Sequence, residues 1–328
     1  MCVLLPPTCL VRVLNAAAFP GVEEPDIEDV LRRIYAARRQ DVPRRGSRAG
    51  AWSATLVAMR WIGALARACH PEPAAAVTLF ATAMAISTGR TAAGVVAVAA
   101  AVGTGQLSVG WSNDVIDRHR DTTGGRGEKP LAAGDLAPRT VAVAAGAALA
   151  ACVPISFASG WPAGWTHLAA VASAWAYNLG LKATRWSIVP YAVSFGLLPT
   201  FVVLGLPGHP LPPTWLPLAA ALLGCGAHFA NTLPDLATDA RTGVRGLPHR
   251  VGAAGARWIA VLLLVAGSVV ALLGPAGVDA WRVLVLVLVA VLTVAFARRP
   301  DDRQAFRAAL AIAALDVAVV VAGGTRLR

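Results

Sequence analysis

From position 73 onward the chain is a succession of apolar runs, each about the ~20 residues needed to cross a bilayer, with little between them. The runs fall near 73–89, 92–112, 136–159, 161–180, 187–206, 213–232, 252–274, 279–297 and 304–323, which predicts nine spans in an all-α integral membrane protein. Several are rich in Ala and Gly, which lets helices approach closely in lipid. Residues 1–50 break the pattern, mixing acids and arginines with Pro and Gly. Their apolar start, Cys2 to Leu14, is interrupted by Pro6, Pro7 and Arg12 and makes a poor signal peptide. Glu28 to Gln40 suits a surface helix, and Trp52 to Cys69, carrying Arg60 and Arg67, suits the membrane interface. The expected organisation is a partly disordered or interfacial tail over 1–66 and a membrane domain over 67–328.

Composition agrees: 56% of the 328 residues are hydrophobic, 14% are charged and the mean hydropathy is +0.61. The net charge of +11 raises nucleic acid as a partner. However, the basic residues lie in short loops rather than along one face of a soluble domain, so no nucleic-acid partner is expected. Their distribution orients the bundle instead. Arg118, Arg120, Arg126, Lys129 and Arg139 follow the second run, and Lys182 and Arg185 the fourth. Arg241, Arg245, Arg250 and Arg257 follow the sixth, and Arg298, Arg299 and Arg303 the eighth. By the positive-inside rule these loops and the N-terminus are cytoplasmic, in a multi-pass protein of the cell membrane. The five cysteines show neither metal spacing nor a disulfide framework.

Candidate chemistry lies at two of the basic exits. Asn113-Asp-Val-Ile-Asp-Arg-His-Arg-Asp121 packs three carboxylates into nine residues. On a helix Asp114, Asp117 and Asp121 share one narrow face, where like charges repel unless a cation joins them. Oxygen-only ligands favour a hard ion such as Mg2+, often shared with substrate phosphates. Asn231, Asp235 and Asp239, spaced four apart after the sixth run, form a second set, with Pro234 where a helix kinks or breaks. Two such sets facing each other would clamp a diphosphate through bridging ions.

At these residues the chain resembles the UbiA family of intramembrane prenyltransferases. The family's Asn-Asp-x-x-Asp-x-x-x-Asp motif is matched by Asn113, Asp114, Asp117 and Asp121, and its second, less specific Asp-x-x-x-Asp motif by Asp235 and Asp239. Lys129, Pro130, Leu131 and Gly134 after the first motif, and Tyr177 and Lys182 between the motifs, are also similar. The likeness runs over roughly 67–323 and does not reach the tail. It implies a helical bundle, two related four-helix halves plus a ninth helix, around a central cavity, with both motifs at its mouth. It also implies Mg2+-dependent transfer of an isoprenyl group from a prenyl diphosphate to a small acceptor, aromatic or a quinone precursor.

On that reading the five aspartates hold metal. Arg126, Lys129 and Lys182 complete the electrostatic clamp, Tyr177 donates to a phosphate oxygen, and Asn113 and Asn231 contact substrate. Arg118, beside Asp117, binds substrate or holds that carboxylate. Trp111, Trp175, Phe195 and Phe229 are candidate aromatic faces for an allylic cation, and Arg67 and His70 are candidates for acceptor contact. Plainer readings stand beside these: a solvated loop for Asp235 and Asp239, topology signals for Lys182 and Arg185, an interfacial aromatic for Tyr177 and a hydrogen-bonded core residue for His228. Asp316, inside the last run, should pair or face a cavity. The rival functions are a terpene cyclase of the same fold and, from another class, a cation-coupled transporter. A CDP-alcohol phosphotransferase would carry an Asp-Gly…Ala-Arg pattern that the chain lacks.

Overall fold

The computed structural model describes residues 59–127, 129–275, 280–298 and positions 311, 312 and 315. The chain divides into two units, Met1–Gly63 and Ala64–Arg328. Of the first only residues 59–63 are described, and they are helical. The tail helix expected over 28–40 and Asp316 lie outside the described residues, as does the ninth run except for 311, 312 and 315, which are helical.

Among the described residues there is no strand. The helices are α1 (Pro71–Ser87), α2 (Ala92–Thr123), α3 (Pro138–Phe157), α4 (Trp161–Leu179), α5 (Val189–Leu204), α6 (Trp215–Thr232), α7 (Leu236–Arg241), α8 (Leu247–Leu273) and α9 (Ala280–Ala297). Short 3-10 turns, Leu181–Ala183 and Leu233–Asp235, follow α4 and α6. Eight of the expected spans thus have a helix. Pro opens α1, α3, α4, α5 and α8 within the first two positions, where its fixed φ suits a helix start and its missing N–H is not needed. Helix α2 starts differently, with the Thr91 side chain accepting from the Gly94 N–H at 3.2 Å.

Ala92–Thr123, Pro138–Phe157, Trp215–Arg241 and Leu247–Leu273 are long and apolar enough to cross a membrane. At 32 residues α2 is about 48 Å long, well beyond the ~30 Å of hydrocarbon. The helix therefore continues past its apolar run, and its last turns bear the first motif. Neighbouring helices pack pairwise, α2 on α3, α4 on α5, α5 on α6 and α6 on α8. One apolar cluster, including Met84, Val98, Val102 and Phe201, fills the bundle around the N-terminal half of α2, away from the motif. Large apolar side chains such as Leu79, Val143, Trp165, Leu218 and Leu262 are exposed, an arrangement that suits lipid rather than water. The motif ends of α2, α4 and α6 come together at the opposite end of the bundle.

Candidate active site

Helix α2 turns Asp114, Asp117 and Asp121 inward, each at most 4% exposed. At Gly124 and Gly125 the helix stops and the chain doubles back, which returns Arg126 and Lys129 to the same face. Lys129 Nζ then lies 2.7 Å from Asp121 Oδ2 and 3.3 Å from Asp114 Oδ1. Asp117 is bonded by Arg120 and by Lys182, the latter carried in by the 3-10 turn after α4. That turn is braced from behind. A Cβ on Gly246 would lie 2.4 Å from the Lys182 carbonyl oxygen, so only glycine lets the loop before α8 pack there.

Arg126 reaches both sets of acids. Its Nη1 is 3.3 Å from Asp121 Oδ1, and its Nη2 is 2.9 Å from Asp235 Oδ1 and 3.0 Å from Asp239 Oδ1. His70 Nε2 sits 3.9 Å from Asp114 Oδ1, and Asp114 Oδ2 is buried without a hydrogen-bond partner. Five carboxylates thus meet four basic side chains, Arg120, Arg126, Lys129 and Lys182. Burial opposes the charge on Arg126, but Asp235, Asp239 and Asp121 outweigh it and raise its pKa. Lys129 follows the same balance, burial being overcome chiefly by Asp121 and Asp114. For Lys182 burial wins over Asp117 and the pKa falls. Burial, then Lys129, push His70 down to about 4, so it is neutral at physiological pH.

Most of the expected residues converge here. Tyr177 packs edge-on to Tyr191 at 5.2 Å and to His228 at 5.7 Å, and Asn231 and Tyr177 lie near the Tyr191 hydroxyl. Asn113 Nδ2 donates to Asn178 Oδ1 at 3.1 Å, tying α2 to α4. His228 is a hydrogen-bonded core residue, its Nε2 3.0 Å from Ser187 Oγ, although its Nδ1 has no partner. Of the aromatic candidates, Phe195 stacks on Tyr191 and Phe229 is fully buried beside His228. The indoles of Trp111 and Trp175 are committed to the Leu65 carbonyl and to Ser108.

Two expectations change. Arg118 is exposed, and Asp117 is held by Arg120, because a neighbour in sequence points about 100° round a helix while the third residue on returns to the same face. Asn231, Asp235 and Asp239 do not share one continuous helix. Pro234 cannot donate the next helical bond, the 3-10 turn intervenes, and Asp235 is left 46% exposed against 14% for Asp239. Among the described residues no group of three or more His, Cys, Asp or Glu side chains is already gathered closely enough to hold a metal ion. Basic side chains lie between the acids instead. The donor chemistry is still that of a hard-cation site, all oxygen, and among the described residues Asp114 Oδ2 is a buried carboxylate oxygen without a partner. Arg120, Asn178 and His249, whose Nε2 lies 3.8 Å from Asp239 Oδ2, escaped the sequence reading. Of these only Arg120 had a local signal, its i+3 spacing from Asp117.

Residues 74–315 match the sequence profile of the UbiA prenyltransferase family. The chain belongs to that family. Like other UbiA proteins it is membrane-embedded, and it is 26% identical over 176 residues to naringenin 8-dimethylallyltransferase 2, chloroplastic, of Sophora flavescens. That match covers 48% of this chain and 43% of the plant protein, so it spans less than half of that relative's length. An apo UbiA homologue from Aeropyrum pernix K1 has the same fold with a TM-score of 0.63 at 18% identity, covering 77% of this chain and 98% of that one. A UbiA homologue from Archaeoglobus fulgidus bound to GPP and Mg2+ aligns with a TM-score of 0.57 at 16% identity, over 78% of this chain and 99% of that one. At these identities the structural likeness is one of fold.

Proposed function

We propose that this UbiA-family protein transfers an isoprenyl group from a prenyl diphosphate to a small acceptor, aromatic or a quinone precursor, with Mg2+ as its metal. The observation that carries this reading is Arg126, which contacts both carboxylate sets at once. Two acidic surfaces and four cations within reach of each other suit a ligand that is both polyanionic and metal-bound. The A. fulgidus homologue's complexes with GPP and Mg2+ and with DMAPP and Mg2+, and the dimethylallyltransferase named above, support the substrate class.

Asp114, Asp117, Asp121, Asp235 and Asp239 would hold Mg2+, which supplies charge neutralisation to the diphosphate oxygens. For that, Arg126 and Lys129 leave the carboxylates and take up phosphate oxygens, exchanging one charge-assisted partner for another. Lys182 stays with Asp117 and adds a buried positive charge, and the Tyr177 hydroxyl donates to a phosphate oxygen. The bond that breaks joins C1 of the prenyl chain to the diphosphate oxygen, and the electron pair leaves with the oxygen. The rings of Tyr177, Tyr191 and Phe195 exclude water from the resulting allylic cation and face it with their negative quadrupoles. An electron-rich carbon of the acceptor then bonds to C1 and loses its proton. The basic loops after α2, α4 and α6 support a cytoplasmic position for this end of the bundle.

Consumption of dimethylallyl or geranyl diphosphate, followed against Mg2+ with and without an aromatic acceptor, tests the reading. Asp117→Asn and Asp239→Asn should each remove most turnover. Turnover that persists in excess EDTA would overturn the metal's role, and a cyclised prenyl product formed without acceptor would reassign the enzyme as a terpene cyclase.

A further inference from the structure

A row of buried polar contacts runs between α2 and α4 up to the aspartates. Trp175 Nε1 donates to Ser108 Oγ at 3.1 Å, Asn178 meets residues 109, 112 and 113, and Lys182 meets Asp117. Asn178 and Lys182 are four positions apart, as are Asn113 and Asp117, so the end of α4 is registered against the motif at two successive turns. The contact nearer the mouth is an ion pair. The inner one, at Asn178, is neutral, and that side chain's residue is only 3% exposed.

Its partners fix how the Asn178 amide is turned. Nδ2 donates to the Val109 carbonyl at 2.9 Å and to Ser112 Oγ at 3.0 Å. Ser112 gives its own proton to the same Val109 carbonyl at 2.9 Å, so its oxygen is free only to accept from Asn178. The reversed amide would place its oxygen against the Val109 carbonyl oxygen, where neither can donate. Oδ1 is therefore left to face Asn113, which must turn its own NH2 to it, as it does at 3.1 Å. One amide thus dictates the other. With Nδ2 of Asn113 held at Asn178, the Asn113 oxygen lies on the opposite side of its carboxamide. Asn113 itself is half-buried at the head of the motif and lies beside His70, which also approaches Asp114 at 3.9 Å.

We propose that Asn178 is a positioning residue for prenyl transfer: it holds the Asn113 carboxamide so that the oxygen, and not the NH2, is offered to the diphosphate site. This rests on the prenyl-transfer reading. The two ends differ in chemistry, because an amide oxygen joins carboxylates around a hard cation, whereas an NH2 donates directly to a phosphate oxygen.

Calorimetric titration of the full-length protein in detergent with inorganic pyrophosphate, in Mg2+ and separately in excess EDTA, tests this. Asn178→Ala should weaken pyrophosphate about tenfold in Mg2+, the loss of one hydrogen bond. It should leave any binding in EDTA unchanged, since a carbonyl oxygen cannot donate to phosphate. In an Asn113→Ala background the same substitution should change affinity by no more than about twofold, because a residue that acts through Asn113 has nothing left to position. Ser112→Ala removes one of the two acceptors that fix Asn178; it should give a smaller loss in Mg2+, about threefold, and serves where Asn178→Ala does not fold. Full affinity in Asn178→Ala, or in Ser112→Ala where that variant alone folds, overturns the positioning role. So does a tenfold loss that persists when Asn113 is already alanine, which would mark Asn178 as a general support of the bundle. A loss of equal size in EDTA overturns the orientation, since the NH2 would then face phosphate. Wild-type protein that binds no pyrophosphate in Mg2+ fails the prenyl-transfer reading itself, and this inference with it.

Discussion

Arg126 Nη2 lies 3.0 Å from Asp239 Oδ1, joining two residues 113 positions apart in the sequence. The same guanidinium bonds Asp121 and contacts Asp235, so a single side chain from the loop after α2 closes the gap between the two acidic sets. If these aspartates hold the divalent metal, as proposed, it competes with Arg126 for the same oxygens.

That competition predicts an order of affinities. Without diphosphate, Mn2+ measured by electron paramagnetic resonance should bind Arg126→Gln more tightly than wild type, by about tenfold, the effect of removing one charge-assisted pair. Pyrophosphate in the presence of metal should bind the variant more weakly. Metal affinity unchanged in the variant would show that Arg126 does not occupy the metal's place.

Lys182 should behave differently, because Asp117 keeps Arg120 when Lys182 is lost. Lys182→Met is expected to weaken prenyl diphosphate binding while leaving the choice of supporting divalent ion unchanged, measured by activity across Mg2+, Mn2+ and Ca2+. Stability offers a second check. Burial holds the Lys182 pKa below 10.5, so between the lowered value and 10.5 the unfolded chain binds more protons than the folded one. Stability from this residue accordingly rises with pH through that window and is lost as pH falls through the lowered value. The rise should be absent from chemical unfolding curves of Lys182→Met.

Ser187 ties the start of α8 to the core beside the site. Its Oγ accepts the Leu247 N–H at 2.9 Å and lies 3.0 Å from His228 Nε2, and the residue is fully buried. Ser187→Ala leaves the part-buried Leu247 N–H and the buried His228 Nε2 without this partner, which predicts destabilisation of about 1–3 kcal/mol, read as a lowered midpoint in denaturant. An unchanged midpoint would mean that water replaces the hydroxyl.

Orientation in the membrane is open to direct labelling. Thr123, exposed at the end of α2, changed to Cys in a background without the native cysteines, should react with an impermeant maleimide only after the cytoplasmic face is opened. Labelling of intact cells would place the aspartates on the outer side and reverse the side from which diphosphate enters.

The local features of this protein were legible in its sequence because they are one-dimensional. Apolar runs of membrane length located eight helices among the described residues, since a backbone in lipid must satisfy its own hydrogen bonds and a helix is how one segment does so. Helical period placed Asp114, Asp117 and Asp121 on one buried face. What the sequence could not say is which charges neutralise those acids. Pairing depends on where loops return in space, and Arg126, Lys129 and Lys182 reach carboxylates from 5 to 113 residues away. Likewise Asp235 and Asp239 look equivalent as an i, i+4 pair, but the 3-10 turn at Pro234 leaves one half-exposed and the other enclosed. Helix α8 also breaks at Gly252, where φ is 76°, and no periodicity records that break. Hydrophobic period is a property of neighbours along the chain, whereas charge compensation is a property of neighbours in space, and only the packed bundle decides the second.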